Sequence, residues 1–284
     1  MIYFCADDYG ISKNGNYHIE NCLKNSVLNK VSILPNGEIS GFKNNLTVNG
    51  CAVSLHLNLV EGKPLSNPDD VELLIAKDGC FRYSFIGLFL KSLLPGRKDF
   101  EEALYKELKS QIKFWKDEMG NMDVLSIDSH QHTHMIPLVF KALMRAIKDE
   151  GVKSCYMRIP AEPILPYILT PSLYFNYSII GIIKQWLLKF LWQINKKEFN
   201  KTQIRSGYFM GVLFSGRLSE KVINKILPRY IRLAEKREKD IEIGFHPGYI
   251  ENEDISLKNR DSFEKFYLSS QRKSEYDTLM NLKI

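Results

Sequence analysis

An α/β fold built on parallel strands is what this sequence predicts, and three observations predict it. Strand-like and helix-like runs alternate along the chain. Inside the strand-like runs apolar and polar residues alternate with a two-residue period, so each strand has one apolar and one polar face. Imidazoles and carboxylates stand at the ends of separate strands: Asp7-Asp8, His56, His130 and His246. Parallel β/α proteins keep their chemistry at strand ends.

The elements follow in order. Ile2 to Asp7 reads as a first strand, and polar Tyr9-Gly10-Ile11-Ser12 ends it. A helix is expected from about Asn14 to Leu28, then short strands at Val31–Leu34 and Cys51–Leu59. Asp99 to Met119 is an amphipathic helix with Leu104, Leu108, Ile112, Trp115 and Met119 on one face. Val124 to His130 is the next strand. Pro137 opens a helix that runs to about Glu150, where Gly151 stops it. Cys155–Ile159 and Gly207–Val212 read as strands, Leu218–Arg237 as a charged amphipathic helix, and Ile241–His246 as a strand closed by Pro247-Gly248. A last helix fits Asp261 to Leu282.

Strand parity indicates which residues meet. In Val53–Leu59, Ser54, His56 and Asn58 share a face; in Leu125–His130, Ser126, Asp128 and His130 do; in Ile241–His246, Glu242 and His246 do. In a β/α barrel the apolar faces pack against outer helices and these polar faces look into the mouth. Asp7 has the inward parity of its strand and Asp8 does not, so Asp8 joins the others only if the chain turns there. Gly10 makes such a turn accessible.

Composition narrows the function. The 284 residues are 44% hydrophobic and 25% charged, ordinary for a soluble chain with a sizeable core. A formal net charge of +6 without a dense Lys/Arg block argues against a nucleic-acid partner. Five scattered cysteines fit reduced thiols in a cytosolic protein better than a disulfide framework. The chain enters a strand at once, with no basic and apolar leader, so a cytoplasmic location is expected.

Three of the six histidines lie in His130-Gln131-His132-Thr133-His134, and short His-rich tracts favour metals. Each group alone has a plainer explanation: a hydrogen-bonded core histidine, a turn or helix cap at Asp7-Asp8, a strand-ending turn at His246. Their coincidence at strand ends favours a divalent-metal hydrolase. Asp8, His56 and His130 are the expected ligands, leaving a position for water. Asp7 is the expected general base and His246 the proton donor to the leaving group. His132, His134, Asp128 and Arg158 are expected around them, orienting ligands or Asp7, or meeting substrate. His18, within the first helix, is read as structural.

These segments also carry a resemblance. Ala6-Asp7-Asp8-Tyr9-Gly10-Ile11-Ser12, Ser54-Leu55-His56-Leu57-Asn58-Leu59, Asp128-Ser129-His130-Gln131-His132-Thr133-His134-Met135 and Gly244-Phe245-His246-Pro247-Gly248 occur in the order found in the YdjC-like carbohydrate deacetylases, which include the chitooligosaccharide deacetylases. The resemblance implies one YdjC-like domain over residues 1–284, a distorted (β/α) barrel of the glycoside hydrolase/deacetylase type, and removal of the acetyl group from an N-acetylated sugar. It implies the same metal ligands (Asp8, His56, His130), Asp7 as base and His246 as acid. It also implies magnesium, and a homodimer. By ligand softness, two imidazoles and one carboxylate suit zinc. Two other readings stand beside this one: another metal hydrolase such as a phosphoesterase, and a non-catalytic carbohydrate-binding protein.

The chain departs from the family pattern at Cys5, where Asn is usual, and at Tyr9, where Phe is usual. The larger departure is an apolar, aromatic insertion at residues 161–205, fringed with Lys196, Lys197 and Lys201. Lys184 and Lys189 interrupt it, so it is too broken to span a bilayer. It is expected to pack on the barrel or in an oligomer interface. Otherwise it forms a lid or membrane-surface helix that meets a lipid-linked sugar.

Overall fold

Seven short strands, paired only in parallel, carry the fold in a computed structural model that describes residues 1–47, 50–120, 124–250 and 267–283. In chain order the elements begin with β1 (Ile2–Tyr9), α1 (Lys13–Asn25), β2 (Lys30–Ile33), α2 (Phe42–Thr47) and β3 (Ala52–Leu57). After a 3-10 turn at Pro68–Leu74 come α3 (Phe85–Ser92), α4 (Arg97–Met119) and β4 (Leu125–Ser129). A second 3-10 turn, His130–Met135, leads into α5 (Pro137–Asp149) and β5 (Cys155–Met157). Then follow α6 (Leu165–Ile168), a 3-10 turn at Pro171–Asn176, α7 (Ile179–Phe199), β6 (Tyr208–Met210), α8 (Glu220–Glu235), β7 (Ile241–Phe245) and α9 (Ser270–Asn281).

The strand order is β5-β4-β3-β2-β1-β7-β6. The two edges meet through one bridge: Arg205, just before β6, donates to the Cys155 carbonyl at 2.9 Å and accepts from the Met157 amide at 2.8 Å. The sheet is therefore a curled, distorted barrel with outer helices: the parallel β/α layout is what the alternation predicts, and the distorted barrel is what the resemblance implies.

Apolar faces build the outer layer. Leu104, Leu108, Ile112 and Trp115 of α4 are fully buried against the barrel and α5, while Met119 is only partly covered. That helix starts two residues earlier than its apolar pattern suggests, because Gly96 adopts a left-handed conformation (φ +81°) before its first turn. The observed strands β3 and β5 are each shorter than their apolar runs, since the chain leaves the sheet at Asn58 and Arg158 to build the mouth. The last helix begins later than its predicted start. Residues 261–266 of that prediction lie outside the described residues.

The polar faces line the interior in register. Ser32 pairs with Ser54 across β2 and β3, and His56 with Asp128 across β3 and β4. Ser54 and Ser126 hydroxyls meet at 2.7 Å. Lower in the barrel Lys30 and Glu242, both buried, form an ion pair at 3.0 Å. β1 ends in a turn that crowds backbone on backbone. Gly10 (φ +112°) presents its carbonyl to Gly37 so closely that no side chain fits at residue 37.

Candidate active site

The turn that the parity of Asp8 demanded is present. Register slips between Ala6 and Tyr9, and Asp8 takes a left-handed conformation (φ +70°), which costs a residue with a Cβ on the order of 1–3 kcal/mol. The slip lets two consecutive carboxylates face inward. Asp8 Oδ1 lies 2.8 Å from His130 Nδ1 and 3.3 Å from His56 Nε2. Its other oxygen accepts from the Arg272 guanidinium.

Both imidazoles are oriented from behind. His56 Nδ1 donates to Asp128 Oδ1 at 2.6 Å, and the Ser32 hydroxyl also donates to that carboxylate. His130 Nε2 faces Glu61 Oε1 at 3.1 Å, and Tyr267 donates its hydroxyl to Glu61 Oε2 at 2.7 Å. With an ion bound, each ring would keep its proton on the nitrogen turned away from Asp8 and offer the other nitrogen's lone pair to the ion. One donor atom from each of Asp8, His56 and His130 falls within 4.8 Å of the others. Ligands at about 2.0–2.2 Å from a shared ion stand roughly 3 Å apart, so the donor set fits a divalent cation.

Charge gives the same answer. Among the described residues the connected cluster holds five buried carboxylates (Asp7, Asp8, Glu61, Asp128, Glu242) and three buried cations (Lys30, Arg158, Arg272). Two negative charges are left over, the amount a divalent cation would neutralise. Without an ion the imidazoles supply it as protons. Burial alone would lower the His56 pKa, but Asp128 and Asp8 outweigh burial and push it up to about 9. Burial likewise opposes protonation of His130, and Asp8 and Glu61 push it up to about 10. Burial would raise Asp8, yet His130 and Arg272 hold its carboxyl well below the usual range.

A pH dependence follows for chelator-treated protein. Two histidines with raised folded-state pKa values contribute stability that is complete below about pH 6.5, the unfolded value. That stability disappears as pH climbs through the folded values of about 9 and about 10. Denaturant midpoints should therefore fall between pH 6.5 and pH 10, and a midpoint that rises across this range would contradict the assignment.

Asp7, the first residue past the regularly paired part of β1, is gripped by Arg158. Arg158 donates to its two oxygens at 2.6 and 2.8 Å, to Glu242 Oε1 at 2.7 Å, and reaches Asp128 Oδ2 at 3.0 Å. Cys5, at the position where the family carries Asn, lies 3.2 Å from the same guanidinium and 3.6 Å from Asp7 Oδ1. Tyr9, the other departure, turns away and donates to Glu20 at 2.7 Å.

The triple-histidine segment is a tight turn. Gln131 and His132 are both left-handed (φ +53° and +58°), which sends the three rings in different directions. His130 enters the cluster. His134 is buried and spans Ser129 Oγ at 2.5 Å and the Arg158 carbonyl at 2.9 Å, so it braces the loop behind the site. Burial, only partly offset by the Arg158 carbonyl and Asp128, takes its pKa down to about 4. His132 packs edge-on to Phe209, and its Nδ1 has no hydrogen-bond partner among the described residues. His246, the residue after β7, presents a partly exposed ring. Glu275 accepts from its backbone amide at 2.6 Å and sits 3.4 Å from its Nδ1. His18 lies outside the cluster, stacked on Tyr249 at 3.7 Å between centroids.

Sequence reasoning missed Ser32, Lys30, Glu61, Tyr267, Arg272 and Glu275. Ser32 and Lys30 share an inward parity on β2 that could have revealed them. The other four come from loops and from the C-terminal helix region, where no period marks a direction.

A distorted β/α barrel that gathers imidazoles and carboxylates at the carboxyl ends of its strands has the design of barrel enzymes working at that face. The chain belongs to the YdjC-like protein family, whose model matches residues 1–284. A carbohydrate deacetylase from Danio rerio is 30% identical over 163 residues, which is 57% of this chain and 50% of that protein. The matched stretch thus spans about half the length of the zebrafish protein. A chitooligosaccharide deacetylase from Escherichia fergusonii is 26% identical over 249 residues, 87% of this chain and 81% of that one. The crystal structure of an Enterococcus faecalis protein, provisionally named for cellobiose-phosphate cleavage, superposes with a TM-score of 0.65 at 17% identity. It covers 99% of this chain and 90% of its own. It shares the fold.

Proposed function

We propose that this protein is a metal-dependent carbohydrate N-deacetylase that releases acetate from an N-acetylated sugar, free or lipid-linked. The observation that carries the reading is the slipped register at Asp8, which converts a strand end into a three-donor cluster with His56 and His130. The relatives named as deacetylases support the substrate class.

Asp8, His56 and His130 would hold the divalent ion, which when bound lowers the pKa of its water and polarises the acetyl carbonyl. The donor set suits zinc, and the family resemblance suggests magnesium. The remaining steps belong to the chain. Asp7, fixed by the Arg158 fork, takes the proton from the attacking water. His246, tethered by Glu275 at the mouth, gives a proton to the departing sugar amine. His132, whose Nδ1 has no hydrogen-bond partner among the described residues, would meet substrate. Asp128 and His134 orient His56 and the loop.

A two-metal phosphoesterase is disfavoured by Arg158. The neighbouring donor groups, Asp7 with His56 and Asp128, and Cys5 with Asp128 and Glu242, share carboxylates that this guanidinium already binds. A second cation there would face a buried positive charge.

Elemental analysis of the purified protein, followed by acetate release from N-acetylglucosamine oligomers, tests the reading. One divalent ion per chain is expected, with activity lost on chelation and restored by that ion. His56→Ala should lose both the ion and turnover. Metal-loaded protein that releases no acetate from any N-acetylated sugar would remove the proposal.

A further inference from the structure

Helix α7 carries apolar side chains on both faces. Its inward face packs Leu188, Leu191 and Phe199 into the core and adds two polar anchors: Gln185 donates to the Glu162 carbonyl at 2.9 Å and Asn195 to the Met135 carbonyl at 2.8 Å. Its outward ridge is apolar. Ile179, Ile183, Trp186, Phe190 and Ile194 follow one another at spacings of four, three, four and four, and Trp186 and Phe190 are 61% and 60% exposed. Phe175, in the 3-10 turn before the helix, is fully exposed. Among the described residues nothing covers this ridge, and a monomeric surface rarely leaves such a run of large apolar side chains in water.

Charge identifies the occupant. At 100° per residue Lys189 flanks one margin of the ridge, and Lys196, Lys197 and Lys201 follow at its C-terminal end; Lys184 lies toward the buried side, near His132 at the mouth. Residues 161–205 contain two acidic groups. Glu162 is buried against the amides of Gly211 and Val212, and Glu198 pairs with Lys201. Lysines along one margin and at the C-terminal end of an apolar ridge that carries a tryptophan match a lipid interface, where the ridge enters the acyl boundary and the ammonium groups stay at the phosphates. A two-fold contact with a second copy would bring these lysines against one another, and protein interface cores are depleted of Lys. No helix among the described residues is long and apolar enough to cross a membrane, so contact is with the surface.

The helix also lies beside the site. Its first turn packs at the Leu213 carbonyl beyond β6, and Asn195 reaches Met135 beyond β4, so α7 runs along the rim of the mouth. We propose that the outward ridge of α7 docks the protein on an anionic bilayer surface, with the barrel mouth beside the lipid.

The test uses the full chain and sedimentation with vesicles. Binding to phosphatidylcholine vesicles containing phosphatidylglycerol should exceed binding to phosphatidylcholine alone by about tenfold or more, and should weaken in high salt. The exposed double substitution Ile183→Asp with Phe190→Asp should abolish binding while circular dichroism stays unchanged. Vesicle binding is read without any turnover, so it stands or falls separately from the deacetylase reading. Equal or absent binding to both vesicle types would overturn the proposal. So would a stable dimer in light scattering that the same double substitution dissociates.

Discussion

Asp7→Asn should retain the metal ion and lose acetate release by about 10²–10⁴-fold, the usual contribution of a positioned general base. The amide keeps one oxygen for the Arg158 fork, so the pocket is retained while the proton acceptor is removed. Asp8 and both imidazoles are untouched, and elemental analysis should give the wild-type ion content. The loss should appear in kcat, because the base acts on the attacking water and not on the bound sugar. A variant with the wild-type rate would strip Asp7 of its role. One that lost the ion as well would make Asp7 a fourth ligand instead.

Arg158→Ala should produce the largest loss of stability. Its guanidinium binds Asp7, Asp128 and Glu242, all buried, and it is itself 1% exposed. Burial disfavours its charge, but these three carboxylates outweigh that and hold its pKa well above the ordinary value. Deleting it leaves uncompensated buried charge, which costs about 3–5 kcal/mol or more and should lower Tm on the order of 10 °C. Arg158→Lys should recover only part of the loss, because a single ammonium cannot bridge three partners with a planar fork. Thermal unfolding of the two variants checks this. An alanine variant that melts within about 2 °C of wild type would show that solvent already reaches these carboxylates.

Much of this architecture is legible before folding. The alternation in Val53–Leu59 and Leu125–His130 places His56 beside Asp128, and the structure pairs them across β3 and β4. Parity also shows that Asp8 needs a turn to face inward, and the turn is there. Period-based reasoning fails where backbone conformation breaks the period. Gln131 and His132 are left-handed without a glycine to announce it, so the directions of the three histidines could not be read from their spacing. Glu61, Tyr267 and Arg272 meet His130 and Asp8 across as many as 264 residues, from segments with no repeating pattern. For the apolar insertion, hydrophobicity foretold a helix but not its orientation. Large apolar side chains lie on both faces, and the burial of Leu188, Leu191 and Phe199 with the hydrogen bonds of Gln185 and Asn195 shows which side is in.

The junction of β5 with Arg205 has a mechanical consequence. The strand circuit is fastened there by two backbone hydrogen bonds at one residue pair, and β2 lies farthest from it in the strand order. The closure does not rest on that pair alone, because Arg158, one residue past β5, ties this edge to Asp7 on β1, Asp128 on β4 and Glu242 on β7. Side-chain charge thus fastens the seam that backbone pairing barely closes, and a substitution at Arg158 should loosen the barrel at its edge as well as the grip on Asp7.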